Sequence, residues 1–180
     1  MQYVKVPKER IAVLIGKDGR IMSMVKRATG GVRMEVDSET GEVNIDGEDA
    51  QDPTMVLKAA DFVKAVGRGF SPERAMKLFD DDYYFQLYDI RDYCGKNPKQ
   101  VRRLRSRIIG TDGKTRRIIE DISGCELSIY GNTVGVIGSF EAMPMATTAV
   151  DMVLSGSEHS SVYKFLEGKR RDMKRSRWGL

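Results

Sequence analysis

The chain has 180 residues, 41% of them hydrophobic and 31% charged, with a formal net charge of +4, the balance of a soluble globular protein long enough for two small domains. Two cysteines and one histidine give no disulfide framework, no zinc-ligand set and no nucleophile–base pair. No apolar run approaches the roughly 20 residues of a membrane span, and no signal-peptide pattern opens the chain, so a cytoplasmic protein is expected.

In chain order, Gln2 to Val6 alternates up to Pro7 and predicts a short strand. Glu9 to Leu14 reads as a short helix running into Ile15-Gly16-Lys17-Asp18-Gly19-Arg20. A second helix follows, with Ile21, Val25 and Ala28 on its buried face and Gly30 as its cap, ending by Gly31. Val32, Met34 and Val36, then Val43 and Ile45, alternate with polar residues on either side of Glu39-Thr40-Gly41, the pattern of a hairpin with one buried face. From Pro53 or Thr54 a longer helix carries Met55, Ala59, Phe62, Val63 and Val66 inward and stops at Gly67 and Gly69.

The connection that follows is too apolar for a flexible linker. Ser71-Pro72-Glu73 is a helix start, predicting a helix from Pro72 to about Phe79, with a strand near Phe85 to Ile90. Asn97-Pro98-Lys99-Gln100 then caps a helix whose Val101, Leu104 and Ile108 form an apolar stripe. It leads into Ile109-Gly110-Thr111-Asp112-Gly113-Lys114, after which Ile118 and Ile122 bury the next helix and Gly124 caps it. Leu127 to Thr133 reads as strand and tight turn, Val134 to Ile137 as the returning strand, and a helix begins near Pro144. The tail places Val162, Phe165, Leu166 and Met173 at helical spacing opposite many basic residues, which suits either a docked helix or a frayed end.

The separation of Gly16 from Gly110 is repeated by Gly30 and Gly124, and the same element order follows each loop. The chain is an internal repeat of domain size. The expected boundaries are 1–69 for the first copy, 70–83 for the connecting helix, 84–156 for the second copy and 157–180 for a basic helical extension.

A GxxG loop between two helices lets a sugar-phosphate backbone approach the main chain, while the helix that starts there offers free N–H groups and a positive dipole end. Lys17, Arg20 and Lys114 add positive charge. Ile15 and Met34 in the first copy, and Ile109, Leu127 and Ile129 in the second, can floor a narrow groove for unstacked bases, which favours single strands over duplex. Charge supports this: Lys96 to Arg117 holds nine basic residues against Asp112, whereas Glu35 to Asp52 holds only acids among its charged residues.

The doubled loop and the βααββα order resemble the KH domain. The intervening GFSPERAMKLFDDDYYFQLYDI, the segment RIIGTDGKTRRIIEDISGCELSIYGNTVGVIG and the ending SVYKFLEGKRRDMKR are similar to the archaeal tandem-KH rRNA-processing family related to the eukaryotic partner of the NOB endonuclease. The resemblance implies an α+β fold of two type I KH domains with a helical extension. It further implies a non-enzymatic monomer without cofactor that binds single-stranded rRNA near the 3′ end of the small-subunit rRNA. A pre-rRNA endonuclease or a translation initiation factor is the implied protein partner. The expected RNA-binding residues are Ile15, Gly16, Lys17, Asp18, Gly19, Arg20 and Met34, then Arg105, Arg107, Ile109, Gly110, Thr111, Asp112, Gly113, Lys114, Arg116, Arg117, Leu127 and Ile129. In eukaryotic relatives the first loop is lost; here both are intact.

Three other readings compete. A protein-interaction scaffold could keep the fold for its shape alone, but intact loops oppose that as the sole role. Asp112-Gly113-Lys114-Thr115 evokes a nucleotide-binding P-loop, yet Ile108 stands where that motif needs glycine. Asp80-Asp81-Asp82 is better read as a solvated end than a metal site, because consecutive side chains on a helix diverge. Tyr3, Tyr83, Tyr84 and Tyr88 fit either base stacking or packing.

Overall fold

The computed structural model describes residues 1–179, which divide into two compact units, Met1–Phe85 and Gln86 onward. The first runs β1 (Gln2–Lys5), α1 (Lys8–Ile15), α2 (Arg20–Ala28), β2 (Arg33–Val36), β3 (Glu42–Asp46), α3 (Met55–Gly67) and α4 (Pro72–Ala75), the last tightening into a 3-10 turn over Met76–Phe79. This is the expected order, extended by α4.

Its sheet has strand order β1-β3-β2 and is antiparallel, with Val4 and Val36 both opposite Val43, and Gln2 and Met34 both opposite Ile45. Val43 and Ile45 of the central strand are completely buried, while Glu42, Asn44 and Asp46 between them keep exposure, the alternation of a sheet covered on one face. Leu14, Val25, Phe62, Val63 and Val66 complete the core from the helices. Burying each large apolar side chain contributes about 1.5–3 kcal/mol.

Two details differ from expectation. Ala28 is exposed, and the third buried position on this face is Thr29, the residue just past the end of α2 and four residues after Val25. Its hydroxyl donates to the Val25 carbonyl at 2.7 Å, which makes a polar side chain acceptable in the core. The segment after Pro72 begins as predicted, with Ser71 Oγ accepting the Arg74 N–H at 3.3 Å, but it is helical in the α sense for one turn only.

The second unit contains α5 (Arg91–Cys94), α6 (Pro98–Ile109), α7 (Lys114–Ser123), β5 (Glu126–Tyr130), β6 (Thr133–Ser139), α8 (Met143–Leu154) and α9 (His159–Trp178). Its sheet has order β4-β6-β5, where β4 (Tyr83–Asp89) carries the boundary between units within it. The short α5 was invisible to periodicity; the Asp89 carboxylate opens it by accepting the Arg91 N–H at 2.9 Å. Asn97 caps α6 by accepting the Lys99 N–H at 3.0 Å.

On α7 the fully buried apolar residue is Ile119, flanked by buried Thr115 and Ser123, whereas Ile118 and Ile122 are only partly buried. The repeat explains the shift: Thr115, Ile119 and Ser123 match Ile21, Val25 and Thr29 one for one. The tail resolves as a docked helix. Val162 and Leu166 of α9 are completely buried in the second core, and α9 packs on α7 and α8 while its basic residues stay exposed.

Candidate nucleic-acid interface

The two loops have the same backbone. Gly16 lies at φ 73°, ψ 170° and Gly110 at φ 77°, ψ 171°; Asp18 and Asp112 both have φ 53°; Gly19 and Gly113 lie at φ 72° and 74°. Aspartate is one of the few residues that tolerate this left-handed region. Each loop folds on itself through one hydrogen bond, Gly19 N–H to Gly16 O and Gly113 N–H to Gly110 O, both 3.2 Å.

The glycines of each loop do different work. A Cβ on Gly16 would sit 2.5 Å from Ile21 Cγ1, and one on Gly110 would sit 2.4 Å from Thr115 Oγ1 and 2.6 Å from its backbone nitrogen. The first glycine therefore serves the packing of the next helix. A Cβ on Gly19 would meet nothing within 4 Å, and one on Gly113 only Arg116 Nη2 at 3.9 Å. The second glycine keeps an outward surface bare, where a ligand backbone can approach.

Neither α2 nor α7 has a side-chain cap or an acid in its first turn. The first amide of each helix is taken up inside the loop, Arg20 N–H by the Lys17 carbonyl and Lys114 N–H by the Thr111 carbonyl, and the positive end of the helix dipole beyond it is of the kind that takes phosphate oxygens. Lys17 and Arg20 on the first loop, and Thr111 and Lys114 on the second, are exposed around these termini, as are Asp18 and Asp112.

Beside the first loop, α2 and β2 border a groove of about 290 Å³ lined by Met22, Ser23, Lys26, Val32, Arg33, Met34 and Glu35. Met34 was expected there; Met22, Ser23 and Lys26 were missed. Helical spacing carries the signal, since Met22 and Lys26 each follow a core residue, Ile21 and Val25, and so edge the core face. Arg33 is ion-paired with Asp49.

In the second unit the matching helix positions are Arg116 and Glu120. The Glu120 carboxylate accepts the Leu127 N–H at 2.9 Å, tying α7 to β5, and the buried Nε of Arg116 has no hydrogen-bond partner. Ile109 and Ile129 are partly buried, and Arg117 is exposed. Leu127 corrects the expectation of a groove floor: it has no exposed surface and belongs to the core. Its register explains this, because Leu127 stands opposite Val136 as Met34 stands opposite Ile45, but the longer, more flexible methionine keeps some exposure.

Arg107 is also turned inward. Its guanidinium donates to the carbonyls of Val153, at 3.2 Å, and Ser157, pinning α6 to the end of α8. His159 Nε2 lies 2.9 Å from the Arg107 carbonyl, and Tyr163 Oη lies 3.0 Å from Thr115 Oγ1. Arg105 lines a different pocket on α6. Asp81 is ion-paired with Lys58, Asp80 accepts the Asp82 N–H at 3.0 Å, and no metal-holding cluster occurs among the described residues. No helix among them is long and apolar enough to cross a membrane.

A family model for the eukaryotic-type, type I KH domain matches residues 84–171, and one for the Krr1 KH1 domain matches residues 3–81. The KH domain-containing protein MJ0443 of Methanocaldococcus jannaschii is 45% identical over 181 residues, covering 100% of this chain and 78% of its own length. The Dim2p chain in the a/eIF2alpha-aDim2p-rRNA complex of Pyrococcus horikoshii OT3 is 44% identical, with a TM-score of 0.87 over 95% of this chain and 94% of that one. The chain belongs to the Dim2/PNO1 family of tandem KH proteins. The Pre-rRNA-processing protein PNO1 of Candida glabrata is more distant, 29% identical over 162 residues, and this chain spans 62% of its length. Both KH domains of the present chain keep the GxxG loop, so the expectation of two type I KH folds in tandem is met.

Proposed function

We propose that this protein is a non-catalytic clamp for single-stranded rRNA that grips the 3′ region of the small-subunit rRNA and presents it for processing. The observation that carries the reading is the pair of GxxG loops with nearly identical backbone angles, each opening an uncapped helix. Gly16 to Gly19 and Gly110 to Gly113 receive sugar-phosphate, assisted by Lys17, Arg20, Thr111, Lys114, Arg116 and Arg117. Ile15, Met22 and Met34 in the first domain, and Ile109 and Ile129 in the second, offer apolar surface to unstacked bases. A groove of this kind excludes duplex, whose bases present no free faces.

The relatives support this reading. PNO1 carries the name of a pre-rRNA-processing protein, and the Pyrococcus Dim2p was crystallised with rRNA. That complex also contains a/eIF2alpha, which favours a translation initiation factor as the protein partner and makes the scaffold role an accompaniment to RNA binding. The test is fluorescence anisotropy with an RNA from the 3′ end of the small-subunit rRNA, its scrambled version and its duplex. The authentic single strand is expected to bind tightest; equal binding of all three would contradict the reading.

A further inference from the structure

The basic stretch between Lys96 and Arg117 forms one surface in the sequence and two in the fold. Lys114, Arg116 and Arg117 follow the second loop, and Arg107 is occupied by main-chain carbonyls. Toward the other end of α6, Lys96 before the helix, Arg102 in its second turn and Arg105 about two turns in meet Arg91 around a separate pocket of about 350 Å³. Pro98 and Val101 give it an apolar wall, and Asn132, in the turn between β5 and β6, closes one side.

Of the four charges around this pocket, only that of Arg91 is neutralised internally. Asp89 engages Arg91, accepting from Nε at 3.0 Å and from Nη2 at 2.7 Å, and so fixes that guanidinium in position. Among the described residues Lys96, Arg102 and Arg105 form no ion pair. Arg102 and Arg105 are three residues apart on one face of α6, so the two like charges repel, and an anion between them relieves that repulsion. The planar forks of Arg102 and Arg105, the Lys96 ammonium and the Asn132 amide suit the tetrahedral oxygens of a phosphate group better than a lone carboxylate.

We propose that this pocket binds a phosphodiester group of the same RNA strand, outside the stretch held at Gly110 to Gly113. The proposal rests on the RNA-clamp reading and extends its footprint. The α6 residues that line the pocket, Pro98 to Arg105, precede Gly110 by twelve to five residues, which at about 1.5 Å each puts the pocket roughly 7 to 18 Å along the helix from the loop. A KH loop clamps about four nucleotides, so only a longer RNA has phosphates left to occupy the pocket.

The experiment titrates the full chain with a tetranucleotide that fills the loop site and with a longer RNA containing it, at several salt concentrations. Wild type is compared with the double variant Lys96→Ala, Arg102→Ala and with Thr111→Asp. The double variant is expected to bind the longer RNA about tenfold more weakly, with a salt slope lower by about 0.7, one phosphate's share, and to bind the tetranucleotide as wild type does. Unchanged binding of the longer RNA, or equal weakening of both RNAs, overturns the proposal. Failure of the underlying clamp reading is seen separately, as Thr111→Asp binding both RNAs like wild type.

Discussion

Thr115 Oγ1 and Tyr163 Oη lie 3.0 Å apart, joining the first turn of α7 to α9 directly behind the second GxxG loop. Thr115 is 1% exposed and also abuts Gly110, so the C-terminal helix reaches the support of the loop through one buried hydroxyl. The first domain has Ile21 at this position and needs no such partner, because an apolar side chain leaves nothing to satisfy.

Removing one half of that pair strands the other. Tyr163→Phe is expected to destabilise the protein by about 1–2 kcal/mol, the cost of an unsatisfied buried hydroxyl. Adding Thr115→Val should recover most of the loss. Urea unfolding of the single and double variants checks this; additive losses would mean that the hydroxyls do not depend on each other.

The two glycines of a loop should respond differently to alanine. Gly110→Ala drives a Cβ within 2.6 Å of the Thr115 backbone nitrogen at a φ of 77°, and is expected to cost at least about 2 kcal/mol. Gly113→Ala meets only the far end of Arg116 and should cost about 1 kcal/mol, from its left-handed φ alone. Thermal melts of both variants decide, and equal shifts would contradict the separation of roles.

The stripe on α7 gives a further test. Ile119→Ala removes a fully buried side chain and should cost about 2–5 kcal/mol. Ile118→Ala, at a partly buried position, should cost less than half as much. Chemical denaturation of the two variants ranks them; the reverse order would refute the register.

That register shows what the sequence carried and what it withheld. Strand alternation, the caps at Ser71 and Asn97, and the doubled GxxG are local signals, each acting within a few residues, and they located most elements. On α7 three isoleucines, Ile118, Ile119 and Ile122, compete for the buried face, and local spacing favoured Ile118 and Ile122. Only alignment with the first copy selects Ile119, because a buried threonine and serine look polar until their partners are known. The same limit hid Arg107: a guanidinium that donates to carbonyls nearly fifty positions away cannot be told from a surface charge. Leu127 was misjudged because strand alternation gives the face of a residue, not the depth to which its neighbours cover it.

Acid should act on Asp61 in a defined direction. This aspartate on α3 is partly buried, and burial raises its pKa against the opposing pull of Lys64, 3.6 Å away. Because the folded state holds the proton more tightly than the unfolded chain, the group adds stability below the usual carboxylate range. That contribution is lost as pH rises through the raised pKa. Asp61→Asn is therefore expected to be more stable than wild type at neutral pH, with the difference closing on acidification. Melting temperatures across that range test it; a difference that widens toward acid would contradict the assignment.

The central claim is that the loops clamp rRNA, and the direct measurement is affinity for a short RNA from the 3′ end of the small-subunit rRNA after placing a negative charge in each loop. Lys17→Asp and Thr111→Asp alter exposed side chains beside the uncapped helix ends, so both variants should fold as wild type does. Thr111→Asp is expected to abolish preferential binding of the authentic strand over its scramble, and Lys17→Asp to weaken it. Wild-type affinity in both variants would contradict the account and move the RNA-binding function away from the loops.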